Sequence, residues 1–304
     1  MQVKESVTIV GVSGFLGRGL PILLAEKGMT TVGVSRSGKG QVPSVERWAR
    51  PENLDLAGQR AVINLAGEPI DQRWNERNRR LFRESRVGVT HQIVQTIAKL
   101  PANERPKVLI NASAVGIYGD RGDEILSETV RRGQGYLADL CSDWEDAAIE
   151  AESLGVRVVR LRIGVVLGKG GPAFEKLHTL FKLGIGGRLG SGQQWMPWIH
   201  VDDLRAAINH CLFSTSLAGP ANGTAPHPER NLDFTRKLAS TLHRPAILPA
   251  PAFGLKLILG DFSSALLGSQ RAIPSALEAD GFQFKFPDLE TALADLTQVK
   301  IAHP

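Results

Sequence analysis

Three glycines near the start of the chain have the spacing of a turn that approaches a phosphate. Gly11, Gly14 and Gly17 follow a short apolar run, Val7 to Val10, and precede a helical pattern of leucines. Glycines at a strand-to-helix junction let the backbone turn tightly and approach a pyrophosphate, which the unpaired N–H groups of the helix attract. Because these glycines stand inside a strand, helix, strand pattern, they indicate a dinucleotide site rather than a turn without a ligand.

The end of the next predicted strand distinguishes two forms of the dinucleotide. Chains that take NAD usually carry Asp or Glu roughly 20 residues after the glycines, where it binds the ribose 2′-hydroxyl. Ser35 and Arg36 occupy that place here. A hydroxyl beside a guanidinium, which can donate two parallel hydrogen bonds, suits a 2′-phosphate. The sequence therefore predicts NADP(H) as the cofactor, in preference to NAD(H).

Three later apolar runs have the composition of buried parallel strands. They span residues 61–69, 107–120 and 155–168, and the first two stop at small residues. In an open parallel sheet the carboxyl ends of the strands meet at one crevice. Residues 64–67 and Ser113 are therefore predicted to line the same crevice as the glycine turn.

Arg86 stands on an otherwise apolar helical stripe, and this position needs an explanation. The other members of the stripe are Phe82, Val89, Ile93 and Ile97. A buried guanidinium without an anionic partner is costly in free energy. A structural carboxylate or the phosphates of the cofactor would each serve, and the sequence leaves both open.

These motifs, taken in order, resemble the YfcH-like epimerase family, which are atypical extended short-chain dehydrogenases/reductases related to nucleotide-sugar epimerases and dehydratases. The resemblance runs from about residue 7 to the last twenty residues. The stretches that carry the resemblance are GVSGFLG, VSRS, VINLAGEPI, ASAVGIYGD, LCSDWE, LRIGVVLG, GSGQQWMPWIHVDDL and SQRAIPSALEADGFQF. The resemblance implies an α/β fold, with a Rossmann doubly wound parallel sheet in residues 1–167 and a smaller C-terminal substrate lobe in 168–304. Parts of 195–215 are expected to return to the Rossmann domain.

The resemblance also implies where the cofactor binds. The family positions correspond here to Gly11, Gly14, Gly17, Ser35, Arg36, Leu65, Ala66 and Arg86. We predict further cofactor contacts from Ser13, Phe15, Leu16, Gly67, Arg162 and Gly164.

The catalytic residues that the resemblance implies are a serine and a Tyr-x-x-x-Lys pair. Ser113 takes the first role and Tyr136 falls about where the tyrosine belongs, but Leu140 stands in place of the lysine. A lysine ammonium would help to lower the tyrosine pKa from about 10, whereas the carboxylate of Asp139 would raise it. Hydride transfer with Ser113 and a tyrosine polarising a carbonyl is therefore one hypothesis.

The alternative interpretation gives Tyr136 a packing role. It opens a helical stripe that continues with Leu140 and Trp144. Tyr118 is a second candidate hydrogen-bond donor. Candidates for a replacement cation are Lys169, Arg162 and Arg271. Both interpretations of Tyr136 stay open.

The substrate side is predicted from residues 168–204, which are rich in glycine and suggest loops around a short helix. Trp195, Trp198 and His200 are candidates to face a ligand. The alternative is that residues 198–201 form a strand that packs beneath the ligand. Asp202 and Asp203 are expected to cap the following helix. Gln270 and Arg271 project into the cleft or pack at the surface. Phe282, Phe284 and Phe286 are predicted to alternate along a short strand.

Composition limits the class of protein. A hydrophobic fraction of 42% and a charged fraction of 22% suit a globular chain, and no apolar run is long enough for a membrane span. Cys141 and Cys211 lack metal spacing and indicate reduced core residues. A net charge of +5 without interleaved aromatics gives no support to a nucleic-acid partner.

These observations together predict a cytoplasmic protein, monomeric or homodimeric, with no metal, nucleic-acid or membrane partner. Its expected function is that of an NADP(H)-binding oxidoreductase or epimerase-like enzyme. The expected substrate is small and polar, and sugar nucleotides are one such class. The alternative is a non-catalytic NADP(H)-binding sensor or regulatory module that has lost the catalytic lysine.

Overall fold

The structure is a computed structural model that describes residues 5–298. Its strands are β1 Ser6–Val10, β2 Thr30–Val34, β3 Arg47–Ala49, β4 Ala61–Asn64, β5 Val108–Ala114, β6 Ile125–Leu126, β7 Arg157–Ile163, β8 Val165–Leu167, β9 Trp195–Met196, β10 Trp198–His200, β11 Gly219–Gly223, β12 Glu229–Arg230 and β13 Arg271–Ala272. Its α-helices are α1 Leu20–Ala25, α2 Glu76–Arg83, α3 Val89–Ala98, α4 Tyr136–Ile149, α5 Pro172–Lys182, α6 Val201–Phe213, α7 Asn231–Thr241, α8 Ala252–Leu259, α9 Ser263–Leu267, α10 Ser275–Ala279 and α11 Leu289–Thr297.

A seven-stranded sheet in the order β11-β7-β5-β4-β1-β2-β3 forms the centre of the molecule. Every neighbouring pair in it is parallel. Parallel strands are covered by helices on both faces, and for this reason the short runs in β1 and β4 are apolar and buried. Later strands are added on opposite sides of the sheet, with β2 and β3 beyond β1 and with β5, β7 and β11 beyond β4. This switch between β1 and β4 opens a crevice beyond the carboxyl ends of these two strands. The predicted Rossmann doubly wound sheet is confirmed.

Helices cover the two faces of the sheet as separate layers. On one face α1 and α6 bury Leu20, Leu24 and Leu204 against Val7 and Ile9 of β1. On the other face α3 and α4 pack against the sheet through a second core, whose members include Val10, Val62, Ile93, Ile97 and Ala148. The apolar stripe predicted from Phe82 to Ile97 is therefore the inner side of this second layer.

The third apolar run is divided by Gly164. β7 ends at Ile163, and a Cβ added at Gly164 would lie 2.5 Å from the carbonyl oxygen of Pro197. Only glycine fits this approach, and beyond it the chain leaves the central sheet as β8, which pairs with β10. The alternative that residues from Trp198 form a strand is confirmed. β8 and β10 join α5, α7 and α11 around a separate core that includes Phe174, Trp198, Phe234 and Leu293.

Two local predictions about the C-terminal half are wrong. The phenylalanines at 282, 284 and 286 do not lie on a strand. Instead the backbone N–H groups of Lys285 and Phe286 donate to the buried carboxylate of Asp203, at 2.8 and 2.9 Å. Asp203 therefore holds this segment and does not cap α6, whose cap is the His200 side chain, which accepts from the N–H of Asp202 at 3.1 Å.

The division of the chain at residues 167 and 168 stays a prediction, although β11 returns to the edge of the central sheet. Both cysteines are free and buried, as predicted. Within residues 5–298 no helix has the length and apolar character needed to cross a membrane.

Candidate functional site

A cavity of about 520 Å³ opens at the carboxyl edge of the central sheet. Residues after β1, β4, β5 and β7 line one side of it, and α4, β9 and α9 line the other. The predicted site residues that line it are Phe15, Leu16, Leu65, Ala66, Gly67, Arg86, Ser113 and Gly164. These residues come from five separate stretches of sequence, so the fold brings eight of the seventeen predicted site residues to one cavity.

The glycine turn follows β1 at this edge of the sheet, and of its residues Phe15 and Leu16 line the cavity. Gly11 has a φ of +82°, which favours glycine, and its carbonyl accepts from the N–H of Gly14 at 3.0 Å. A Cβ at Gly17 would lie 2.6 Å from that same carbonyl oxygen. Ser13 and Gly14 are exposed on the outer side of the turn. The turn therefore requires glycine at two positions and leaves backbone available to a ligand.

Ser35 and Arg36 follow β2 directly. The hydroxyl of Ser35 donates to the carbonyl of Lys39 at 3.0 Å, which holds the loop. The Arg36 side chain is 94% exposed and lies 3.6 Å from a carboxylate oxygen of Glu68. An exposed ion pair of this kind contributes little free energy, so the guanidinium is available to another anion.

Arg86 lies in a π-helical turn, Glu84–Gly88, between α2 and α3. Its guanidinium lies 5.3 Å from the ring centroid of Trp144, and a Cβ on Gly67 would lie 3.2 Å from the guanidinium carbon. Its Nη1 donates to the carbonyl of Phe82 at 3.3 Å. Burial lowers the pKa of Arg86. Within residues 5–298 no carboxylate lies within 4.0 Å of this guanidinium, although the charge of Glu68 acts on it from farther away. The geometry therefore gives no support to a structural carboxylate as its direct partner.

Ser113 connects the cavity to a buried carboxylate that the sequence interpretation missed. Its Oγ donates to Oε1 of Glu145 at 2.7 Å, and Glu145 lies on α4 and is buried. Arg162 donates to both oxygens of that carboxylate, at 2.8 and 2.9 Å, and Arg160 approaches one oxygen at 3.4 Å. Because Glu145 only accepts, the single proton of Ser113 is committed to it. Oγ therefore has its lone pairs for a ligand, which is the reverse of the carbonyl-polarising role predicted for it.

Arg162 and Tyr118 belong to this same network behind the cavity wall. Nη1 of Arg162 donates to the Tyr118 hydroxyl at 3.0 Å, and that hydroxyl donates to Asn222 at 2.8 Å. Burial is the largest cause that raises the pKa of Tyr118. Neither residue lines the cavity, so this geometry gives no support to the cofactor contact predicted for Arg162 or to Tyr118 as a donor to substrate.

Tyr136 is the first residue of α4 and points away from the cavity. Its hydroxyl donates to the carbonyl of Arg79 at 3.3 Å, and its ring lies 5.2 Å from that of Trp74. Burial raises its pKa. The cavity-facing side chains of α4 are Leu137, Leu140, Cys141 and Trp144. The geometry favours the packing interpretation, and the catalytic role of Tyr136 stays an unsupported prediction.

The remaining candidates lie around the outer part of the cavity. Trp195 and Gln270 line it, and the guanidinium of Arg271 lies 4.5 Å from the ring centroid of Trp195. Lys169 is exposed and does not line it. Residues that the sequence interpretation missed there include Leu189, Gln194, Asn231, Phe262 and Leu266. The spacing of Cys141 and Glu145, one helical turn apart, could have identified Glu145 as a residue on the inner side of α4.

The fold and the crevice define a Rossmann protein of the epimerase and dehydratase class. The family model described as NAD dependent epimerase/dehydratase family matches residues 7–220, so the chain belongs to that family, as the resemblance predicted. A second model, a domain of unknown function (DUF1731), matches residues 250–296.

Individual relatives extend over nearly the whole chain. The chloroplastic epimerase family protein SDR39U1 homolog of Arabidopsis thaliana is 38% identical over 98% of this chain and 88% of its own length. The crystal structure of human epimerase family protein SDR39U1 with NADPH matches with a TM-score of 0.87 and 32% identity, over 97% of this chain and 100% of that one. UDP-glucuronic acid 4-epimerase from Bacillus cereus, in complex with UDP-glucuronic acid and NAD, has a TM-score of 0.76 at 16% identity, over 96% and 98% of the two chains. That last likeness shows the fold alone.

Proposed function

We propose that this protein binds NADP(H) and transfers hydride between the cofactor and a small, largely apolar alcohol or its carbonyl product. The observation that carries the proposal is the hydrogen bond from Ser113 to Glu145, because it links the cavity to a buried carboxylate. The same bond replaces the missing Tyr-x-x-x-Lys pair with a different path.

The residues at the crevice suit the cofactor. The glycine turn offers backbone N–H groups to a pyrophosphate, and Arg86 offers a guanidinium that has no carboxylate partner in residues 5–298. Ser35 and Arg36 are placed to bind a 2′-phosphate. The NADPH bound to human SDR39U1 supports this assignment. When bound, the cofactor supplies the acceptor or donor of hydride.

Ser113 and Glu145 account for the proton. A substrate hydroxyl can donate to the free lone pairs of Ser113 Oγ. When the substrate is oxidised, its hydroxyl proton would pass to Oγ, and the proton of Ser113 would pass to Oε1 of Glu145. The hydride would go to the bound cofactor. Because Glu145 is buried, the proton would leave by the same path through Ser113 once the product has left the cavity. Arg162 holds the carboxylate of Glu145 in place through two hydrogen bonds.

The cavity lining argues against the polar substrate expected from the sequence. Beyond the cofactor residues its side chains are mostly apolar, including Leu137, Leu189, Met196 and Phe262. Among the lining residues Arg86 is the one cation, and the cofactor would take it. The diphosphate of a sugar nucleotide needs cations of its own. An apolar alcohol or ketone fits this lining better.

A second candidate is the NADP(H)-binding module without catalysis. The observation in its favour is that α4 presents Leu137 and Cys141 to the cavity, and burial raises the pKa of the Cys141 thiol to about 12. A thiol with that pKa is a poor proton donor or base at neutral pH.

The two candidates are separated by measuring cofactor binding and turnover on the same samples. Isothermal titration with NADPH tests binding. Absorbance at the reduced-nicotinamide band, with NADP and a panel of aliphatic and aromatic alcohols, tests turnover. We expect Ser113→Ala to bind NADPH as the wild type does and to lose turnover by about a hundredfold or more. Binding without turnover over the whole panel would establish the module instead, and absence of binding would refute both.

A further inference from the structure

An unusual number of large apolar side chains are exposed on one side of the C-terminal lobe. They are Leu183, Ile185, Ile247, Leu248, Phe253, Leu257 and Ile258, and each is between 51% and 80% exposed. We call this set the apolar face. Soluble monomers rarely expose contiguous apolar patches of this size unless the patch has a function.

Two backbone hydrogen bonds and one from the Arg244 side chain hold two segments of the apolar face side by side. The N–H of Ala250 donates to the carbonyl of Arg188 at 2.9 Å, and the N–H of Gly190 donates back to Ala250 at 2.8 Å. Arg244 donates to the carbonyl of Lys182 at 3.1 Å. These contacts bring residues 182–190 beside 244–250, and α8 begins two residues later. No residue of α8 is buried.

The two segments that carry the apolar face contain cations but no carboxylate, and Asp261, which follows them, pairs with Arg79 at 2.7 Å. Residues 177–190 and 243–260 contain Lys182, Arg188, Arg244 and Lys256 but no Asp or Glu. Among residues 5–298 none of these four cations has a carboxylate within 4.0 Å. In contrast, Lys237 just before the second segment pairs with Glu290 at 2.9 Å. The apolar face therefore has a rim of cations that lack acidic partners in the described chain.

Chemistry distinguishes the possible occupants of this surface. A second copy docking through the same face would bring two sets of cations together, which is unfavourable. A folded protein partner would need pockets that match apolar side chains from three separate segments. A bilayer with anionic lipids has no such requirement, since acyl chains accept apolar side chains at any spacing and the headgroups attract Lys and Arg. The eight residues of α8 are too few to span a membrane, so the helix would lie in the interface.

We propose that the apolar face docks the protein onto an anionic lipid bilayer, with α8 lying in the headgroup region. The proposal does not depend on the proposed function, because docking requires neither cofactor nor turnover. It departs from the sequence-based prediction of no membrane partner. Leu189, which follows the first segment of the face, lines the cavity, as do Phe262 and Leu266, which follow α8. The docked surface is therefore next to the site.

Cosedimentation of the full chain with lipid vesicles tests the proposal. The vesicles are phosphatidylcholine alone and a three-to-one mixture with phosphatidylglycerol. We expect binding to the anionic vesicles only, weakened at high salt. The double variant Phe253→Gln with Leu257→Gln should weaken binding by about thirtyfold or more. Lys182→Gln with Lys256→Gln should weaken it about 25-fold, since each cation near the surface contributes about fivefold.

Controls come from matched positions outside the face. Ile125→Gln changes an apolar side chain that is 51% exposed, and Lys99→Gln changes an exposed lysine at the end of α3, so neither should alter sedimentation. Phe253→Trp gives a second readout, because its fluorescence should shift to the blue with anionic vesicles. Equal binding to neutral vesicles, no binding, or a dimer in light scattering that Phe253→Gln with Leu257→Gln dissociates would overturn the proposal.

Discussion

At the scale of single residues, the two arginines assigned to the cofactor differ in what surrounds them. Arg36 is 94% exposed and has only a loose contact with Glu68, so an arriving phosphate displaces little. Arg86 is partly buried between Phe82, Gly67 and Trp144, and its charge has already lost much of its hydration. Arg36 therefore selects between cofactors at little cost to the empty protein, whereas Arg86 costs stability until an anion arrives.

Arg36→Ala tests the selection of cofactor. A guanidinium that donates to a charged phosphate contributes about 1.5 to 3 kcal/mol. We expect the Kd for NADPH to rise about tenfold to a hundredfold, while the Kd for NADH stays as it is. Isothermal titration with both cofactors measures this, and Arg236→Ala, another exposed arginine, is the control. An equal loss for the two cofactors would show that Arg36 does not contact the 2′-phosphate.

Arg86→Leu tests the cost of a buried cation. Removing it should leave the empty protein as stable as before or more stable by about 1 kcal/mol, because leucine suits the apolar stripe. The same change should weaken NADPH binding at least tenfold. Urea unfolding and titration on one preparation give both values. A large loss of stability would mean that Arg86 has a structural partner after all.

At the scale of elements, the sequence predicted strands better than it predicted the residues between them. β1, β2, β4 and β5 are apolar runs that end at small residues, and this pattern depends only on local composition. The direction in which α4 faces depends on its partners, and the spacing of Tyr136, Leu140 and Trp144 could not show that the hydroxyl of Tyr136 turns toward Arg79. The cofactor side was thus predictable, but the Ser113 and Glu145 pair needed the register between β5, β7 and α4.

Glu145→Gln tests how much Glu145 on α4 contributes to stability through its contacts with Ser113 on β5 and Arg162 on β7. Glutamine cannot neutralise Arg162, and a buried ion pair that loses one partner costs about 3 to 5 kcal/mol. We expect a loss of this size in the free energy of unfolding, measured in urea. Glu150→Gln, on the exposed end of the same region, should change it by less than about 0.5 kcal/mol. Substitution of Glu145 and Arg162 together by methionine should recover most of the loss.

At the scale of the whole molecule, the central sheet and the separate core that includes Trp198 and Phe234 meet around His200. Its ring is buried, caps α6, lies 4.0 Å from the ring centroid of Phe286 and has Nε2 3.4 Å from a carboxylate oxygen of Asp295. The exposure of α8 also depends on how the whole molecule folds. Whether AFGLKLIL is covered depends on elements far away in sequence, which explains why the sequence did not predict an apolar surface there.

His200 should make stability depend on pH. Burial is the main cause that lowers its pKa below 6.5, although Asp202, Asp295 and Asp203 act in the opposite direction. The unfolded chain therefore binds a proton below about pH 6.5 that the folded chain does not, and stability falls as pH decreases from there. His200→Asn keeps a capping side chain without the titration. We expect its Tm to fall less than that of the wild type between pH 7 and pH 5, and an equal fall would exclude His200 as the cause.

The π-helical turn at Glu84–Gly88 holds one residue more than an ordinary helical turn. Each residue of an α-helix rotates the chain by about 100°. Removal of one residue here would convert the stretch to continuous α-helix. If the apolar stripe of α3 kept its place on the sheet, Arg86 would rotate away from Gly67. Deleting Gly88 should therefore abolish NADPH binding in a chain that still folds, and retained binding would show the opposite. The cofactor site thus depends on the number of residues in this helical turn as much as on any side chain in it.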